Sequence, residues 1–342
     1  MVKALNVCSF LPSIFAFLPS IVALFPEMVI DWLHTHAGAR EGNRGRSTTP
    51  NYLIYIFDRA KDTTRAMKFS PIQPQEPLRP YILAFWLFES PIGIPLAESG
   101  IMVPNGRARI VLPCKNSLTI TANQTPVMGK EQDLLLAGVW DVPTTVSYPA
   151  QATETIGIDL SPKGLYHFFT LNMLEITNRT FTFEELFDGW GAGIQAVLGN
   201  LETASEKIAY VEHVLLDLLK QNTKDYSLLD FAIDRIVQSA GMIGIQALET
   251  QTGYTKRYLD LLFKEHVGIS PKRLATIVRF HQFYKRWAQT PSPTFFKEEV
   301  YASYYDQSHF IHEFKRFTGY PPQKYTERTN ELSRTFYRHL VI

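Results

Sequence analysis

The chain has 342 residues, 45% of them hydrophobic and 20% charged, with a net charge of +1. That is ordinary soluble composition and enough length for two domains, each with its own core. Its two cysteines, Cys8 and Cys114, lie far apart, which excludes a disulfide framework and any zinc site built on cysteine, and fits a reducing, cytoplasmic setting. The near-neutral total hides an asymmetry: residues 224–342 hold 17 Lys and Arg against 12 Asp and Glu, and residues 1–223 hold 17 against 21. A basic C-terminal third on a mildly acidic body is the layout of a nucleic-acid module joined to something else.

Residues 1–66 are read as an N-terminal extension. Ala4 to Pro26 carries no charge, and Pro12, Pro19 and Pro26 recur at a spacing of seven. The length suits a membrane segment or a signal peptide with Lys3 as its basic flank. Arg40, Arg44 and Arg46 would hold the far flank inside. The three prolines, each removing a helical hydrogen bond, count against a spanning helix. The remaining reading takes Met67 as the natural start, because ordinary globular sequence begins there. His34 and His36 have no carboxylate or cysteine beside them and are read as incidental.

Residues 67–222 are expected to form a sensor or dimerisation domain. Short apolar or alternating runs broken by Pro and Gly predict strands at 81–88, 107–112, 117–121, 134–140, 144–147 and 155–160, the pattern of a small antiparallel barrel or sandwich. Pro162 is expected at the first position of a following helix. Thr182 and Glu185 have capping-box spacing, and 201–219 has helical periodicity. Phe85, Trp86, Trp140 and Tyr148 are the aromatics that could line a pocket, although core packing is the commoner fate of such residues. Between Met67 and Asn222 there are only two histidines, His167 and His213, and no phosphate loop, dinucleotide fingerprint or nucleophile elbow. A binding domain is therefore expected rather than an enzyme, with no catalytic residue, no metal and no cofactor.

Residues 224–342 repeat a phrase. Leu259, Phe263, Lys264, Gly268 and Pro271 recur 51 positions later as Phe310, Phe314, Lys315, Gly319 and Pro322. Two copies of one small unit follow from this. In the first, Ile245, Leu248 and Thr252 share a helix face, Gly253 suits a tight turn, and Thr255 can cap the next helix. In that helix Leu259, Leu262 and Phe263 point inward and Lys256, Arg257, Asp260 and Lys264 outward. In the second copy Val300 and Ala302 precede a turn at 303–305, Asp306 is a good cap, and Phe310, Phe314 and Phe317 point inward. Gln307, Ser308, His309 and His312 are left as outward groups able to hydrogen-bond base edges, with Lys315 and Arg316 placed for phosphates. Residues 271–289 read as one long connecting helix. Two helices joined by a Gly-containing turn, the second presenting polar and basic groups, form a helix-turn-helix.

The run from Asp306 through Phe310, Phe314 to Gly319 and Pro322 to Tyr325 resembles the second helix-turn-helix of AraC-type transcription regulators. Phe263 to Pro271 is similar to the end of the first. The resemblance covers roughly 228–328. Pro77 to Tyr81, Val103 to Gly106, and Gly157 with Pro162 to Phe168 resemble the barrel-type N-terminal domain of one AraC branch. The implied fold is α+β, with an N-terminal cupin-like antiparallel β-barrel carrying helices and a C-terminal all-α double helix-turn-helix domain. The implied function is sequence-specific transcription regulation, with two recognition helices in successive major-groove segments. Lys256, Arg257, Asp260, Leu261 and Lys264 would be offered by the first helix, and Gln307, Ser308, His309, His312, Lys315 and Arg316 by the second. The implied partners are double-stranded DNA, RNA polymerase, a small-molecule effector and a second copy of the chain. Glu249 and Glu299 stand where a small residue is usual, and Ser303 where glycine is. With Leu261, they motivate the alternative of an interaction protein, degenerate or membrane-anchored, that no longer reads DNA specifically. A DNA-repair enzyme carrying the same module would need clustered cysteines that the chain lacks.

Overall fold

The structure, a computed structural model, describes residues 67–96, 99–289 and 307–326. The N-terminal extension and the turn of the second repeat, with Glu299, Val300, Ala302, Ser303 and Asp306, lie outside the described residues. Among the described residues the N-terminal half has ten strands: β1 (Lys68–Ile72), β2 (Ile82–Ser90), β3 (Gly100–Met102), β4 (Arg109–Lys115), β5 (Leu118–Ala122), β6 (Thr125–Gly129), β7 (Leu135–Ala137), β8 (Thr144–Ser147), β9 (Thr153–Leu160) and β10 (Thr180–Thr182). They form two antiparallel sheets, one ordered β1-β2-β9-β4-β7-β10 and one ordered β3-β8-β5-β6. In place of the expected barrel there are two separate sheets; no ladder among the described residues joins them into one closed sheet.

Period-2 alternation explains why the larger sheet is apolar on both faces. Ile110, Leu112, Leu136, Ile156 and Ile158 belong to the core shared with the helices. Trp86, Val111 and Leu135 belong to a second core with Leu118 and Ile120 of the smaller sheet. Phe85 is one residue out of step with Trp86, so it joins the helical core and not the inter-sheet space. Trp86 lies across Gly157, its Cα partner on β9. A Cβ at that glycine would sit 1.9 Å from the indole.

Helices follow: α1 (Gly164–Phe168), α2 (Met173–Ile176), α3 (Phe183–Asn200) and α4 (Ala204–Gln221). The capping box expected at Thr182 and Glu185 is present at the start of α3, and Thr203 with Glu206 builds another at α4. Pro162 does not open a helix, because α1 starts at Gly164 with Lys163 as its cap.

The C-terminal half is helical: α5 (Ser227–Gln238), α6 (Ile245–Thr252), α7 (Lys256–His266), α8 (Pro271–Gln289), α9 (Gln307–Thr318) and α10 (Pro322–Thr326). The expected connecting helix is α8 with the expected bounds. It is buried nearly all round, with Leu274, Ile277, Phe280, Phe283, Tyr284 and Trp287 in the core. Phe310, Phe314 and Phe317 of α9 pack onto it, Phe280 and Phe317 with ring centroids 4.8 Å apart. The hydrophobic core runs without a break from the β-domain helices into this module. Among the described residues no helix is long and apolar enough to cross a membrane.

Candidate nucleic-acid interface

In the repeated unit, α7 and α9 each present an exposed polar face. The turn before α7 is built as its sequence requires. Gly253 ends α6 with φ +75°, where an L side chain is strained. Thr255 caps α7, its hydroxyl accepting from the Tyr258 amide. Glu249, which stands where a small residue is usual, takes part in this cap. Its carboxylate accepts from the Lys256 amide at 2.5 Å. It reaches back across the turn and satisfies one of the orphan donors of the α7 N-terminus.

Leu259 and Phe263 are fully buried and Leu262 half-buried, so the opposite face of α7 is fixed outward. That face carries Lys256, Arg257, Leu261 and Lys264, with Asp260 half-buried at its edge. Leu261 is 60% exposed, and Tyr254 and Tyr258, also exposed, stack with centroids 4.9 Å apart. The tyrosine pair was missed in the sequence, where only charge and helical period were used to choose outward groups.

On α9, Phe310, Phe314 and Phe317 point inward, leaving Ser308, His309, His312, Lys315 and Arg316 exposed. Gln307 is the first residue of the helix. His309 lies 3.6 Å from Glu313, which also accepts from Arg279 of α8 at 3.5 Å. Glu313 therefore ties α9 to the connecting helix α8.

Arg316 is exposed but not solvated alone. Its Nη2 donates to Asp141 Oδ2 at 3.1 Å, and Arg273 Nε donates to the same oxygen at 2.8 Å. Asp141 belongs to the loop after β7, so the contact joins the β-domain to both α8 and α9. Burial alone would raise the Asp141 carboxyl, but the Asn178 hydrogen bond and the two guanidiniums outweigh it and hold the group below its ordinary value. The halves also meet elsewhere, for example where Lys163 pairs with Asp234 of α5 at 2.8 Å. Thr177 donates to the Gly268 carbonyl at 3.2 Å. Gly106 lies against Leu274 and Ile277 of α8, where a Cβ would fall 2.8 Å from Leu274 Cδ1. Asp230 of α5 accepts from Tyr166 and faces His167.

The inter-sheet space contains a cavity of about 60 Å³. Trp86, Trp140 and Tyr148 line it together with Arg107 and Arg109, while Trp86 and Tyr148 also belong to the second core, the commoner fate expected of such aromatics. Arg109 is paired with Asp159 and lies over the Trp86 ring at 5.5 Å. Burial pushes the Tyr148 phenol up to about 12, so it stays neutral. The indole N–H of Trp140 is buried with no acceptor among the described residues.

Two family models match the chain: a domain of unknown function (DUF6597) over residues 70–182 and a helix-turn-helix domain over residues 248–328. The match to a helix-turn-helix domain agrees with the AraC-type resemblance of the C-terminal repeat, and the domain joined to it is a pair of antiparallel sheets. No curated protein matches the sequence significantly. Among solved structures, ToxT from Vibrio cholerae is similar at 11% identity and a TM-score of 0.42, over 72% of this chain and 99% of that one. Another ToxT structure, from strain O395, aligns at 9% identity and 0.41, over 78% and 99%. The cupin domain of Schizosaccharomyces pombe Cnp3 aligns at 13% identity and 0.23, over 28% and 64%.

Proposed function

We propose that the protein is a sequence-specific DNA-binding transcription regulator in which α7 and α9 enter successive major-groove segments on one face of the duplex, about one helical turn (~34 Å) apart. The observation that carries this reading is the pair of outward polar helix faces held on one buried connecting helix, α8. Gln307, Ser308, His309 and His312 are the base-reading groups, since each can donate to or accept from a base edge. Lys264, Lys315 and Arg316 contact the backbone. On α7, Lys256, Arg257 and Asp260 flank Leu261, whose apolar side chain suits a thymine methyl group. The second helix therefore carries more of the specificity than the first. Residues 67–222 form the controlling domain and 224–342 the DNA-binding domain. The inter-sheet cavity supports control by a small molecule, with pairing of two copies and contact with RNA polymerase as further parts of the same reading.

Selection of bound fragments from a random DNA pool tests the proposal. A defined motif is expected, with log affinity falling linearly as log salt rises. Alanine at Gln307 and His309 should relax the motif at adjacent positions. Unchanged selectivity in that variant would remove the site assignment. Failure of every chain variant to bind any duplex at low salt would remove the function.

A further inference from the structure

The three-residue contact at Asp141 has more organisation than an incidental surface ion pair. Two guanidiniums converge on one carboxylate oxygen, Arg273 at 2.8 Å and Arg316 at 3.1 Å. Arg273 also donates to the Asp141 carbonyl at 2.8 Å. Its guanidinium plane is fixed over the Phe317 ring at 4.5 Å, and its side chain is only 15% exposed. Asp141 is oriented from behind by a reciprocal pair with Asn178. Its own amide donates to the Asn178 side chain, and the Asn178 amide group donates to Oδ1, both at 2.8 Å. Asn178 holds that position with φ +59°, a left-handed conformation that asparagine tolerates better than most residues.

The charge count is unbalanced, with two cations on one anion. Arg316 follows His312 by one helical turn on α9, and Lys315 precedes it, so one partner of Asp141 belongs to the face assigned above to DNA. A planar guanidinium pair that accommodates a carboxylate also matches the oxygens of a phosphodiester. A carboxylate and a backbone phosphate cannot occupy the same donors together.

We infer that Arg273 and Arg316 form a clamp for a DNA backbone phosphate, and that Asp141 fills this clamp from within the chain as a surrogate anion, holding the protein in a self-restrained state. The inference rests on the DNA-binding reading and adds Arg273, Asp141 and the competition between them to it. It also supplies a route for control. Trp140, next to Asp141, lines the inter-sheet cavity. A ligand there that offered an acceptor to the buried indole N–H would act on the residue beside the latch.

The test measures binding of the full chain to a labelled duplex by fluorescence anisotropy. The duplex is a fragment selected by the wild type or by D141N, or a random-sequence duplex at low salt where neither selects one. Asp141→Asn keeps the shape and removes the charge. It is expected to raise affinity five-fold or more, the scale of an ordinary coupling between sites. Asn178→Ala, which frees the carboxylate from its support without touching either arginine, should raise affinity in the same direction. Arg273→Gln separates clamp from mere latch. In the Asp141→Asn background it should reverse most of the gain, whereas an arginine that only held Asp141 would have no effect there. Unchanged affinity in both Asp141→Asn and Asn178→Ala, with the wild type binding DNA, overturns the inference. A neutral Arg273→Gln in the Asp141→Asn background overturns the clamp. If neither wild type nor Asp141→Asn binds any duplex, the DNA-binding reading fails instead.

Discussion

Gly268 and Gly319 hold the same place in the two repeats, and substituting each by alanine should separate what the repeat needs from what the fold around it needs. Both end a helix with positive φ, +87° and +80°. An L residue in the left-handed region costs about 1–2 kcal/mol, and alanine recovers roughly 0.4–1 kcal/mol by restricting the unfolded chain. Gly319 has nothing within 4 Å of an added Cβ, so Gly319→Ala should cost only about 0–1.6 kcal/mol. Gly268 lies under the β-domain. A Cβ there would meet the Thr177 hydroxyl at 2.1 Å and the Met173 carbonyl at 3.0 Å. Relieving that overlap adds about 1–3 kcal/mol, the usual scale of overpacking. Urea unfolding followed by tryptophan fluorescence reads both values as midpoint shifts. Thr177→Ala removes the nearer obstacle, so in that background the excess cost of Gly268→Ala should fall by about half or more, a coupling between the two halves of the chain. Equal costs at the two glycines, or no coupling to Thr177, would refute the packing of α7 against α2.

Two other expectations follow from single groups. Glu249→Ala should lose the second acceptor at the α7 N-terminus and lower stability by about 1 kcal/mol, with weaker DNA binding and no change in the preferred motif; a changed motif would mean that Glu249 contacts DNA itself. His281 of α8 is fully enclosed, and burial, reinforced by the charges of Arg107, Lys285 and Arg109, pushes its pKa well below the ordinary value. Below about pH 6.5 only the unfolded chain takes up that proton, so stability present above this pH is lost as pH falls, at up to about 1.4 kcal/mol per pH unit. His281→Gln should flatten the slope between neutral pH and pH 5; an unchanged slope would place the pH dependence elsewhere.

The helical half was legible because its signals are local. Positive-φ glycines, a threonine cap and apolar residues at i, i+3 and i+4 all fall within one or two turns, and the repeat states them twice. The strands β2, β4, β5, β8 and β9 were legible for a related reason: each is a short apolar or alternating run bounded by turn residues, which is also a local signal. β6 was not, because Thr125, Pro126 and Met128 are exposed on an edge strand with no buried face to pattern it. β1, β3 and β10 were missed as well. β3 and β10 have three residues each, and β1 carries a proline, so none offers a period to detect.

The candidate interface divides along the same line. Which side chains leave α7 and α9 outward follows from which ones the core takes, and that could be read from spacing. What those outward groups meet could not. Arg316 and Asp141 are 175 positions apart, and nothing in either neighbourhood announces the other. The same limit hid the obstacle over Gly268, since Thr177 lies 91 positions away. The two copies of the repeat thus differ less in their own scaffold than in what the β-domain does to them. The first copy is packed against it at Gly268, and the second is reached at Arg316 by one carboxylate. A contact made mainly of packing is suited to fixing the position of α7. A contact made of exchangeable hydrogen bonds on a side chain 59% exposed can be given up to a competing anion. Control by the β-domain is therefore expected to act on the second helix, the one to which the proposed function assigns the larger share of base-reading groups.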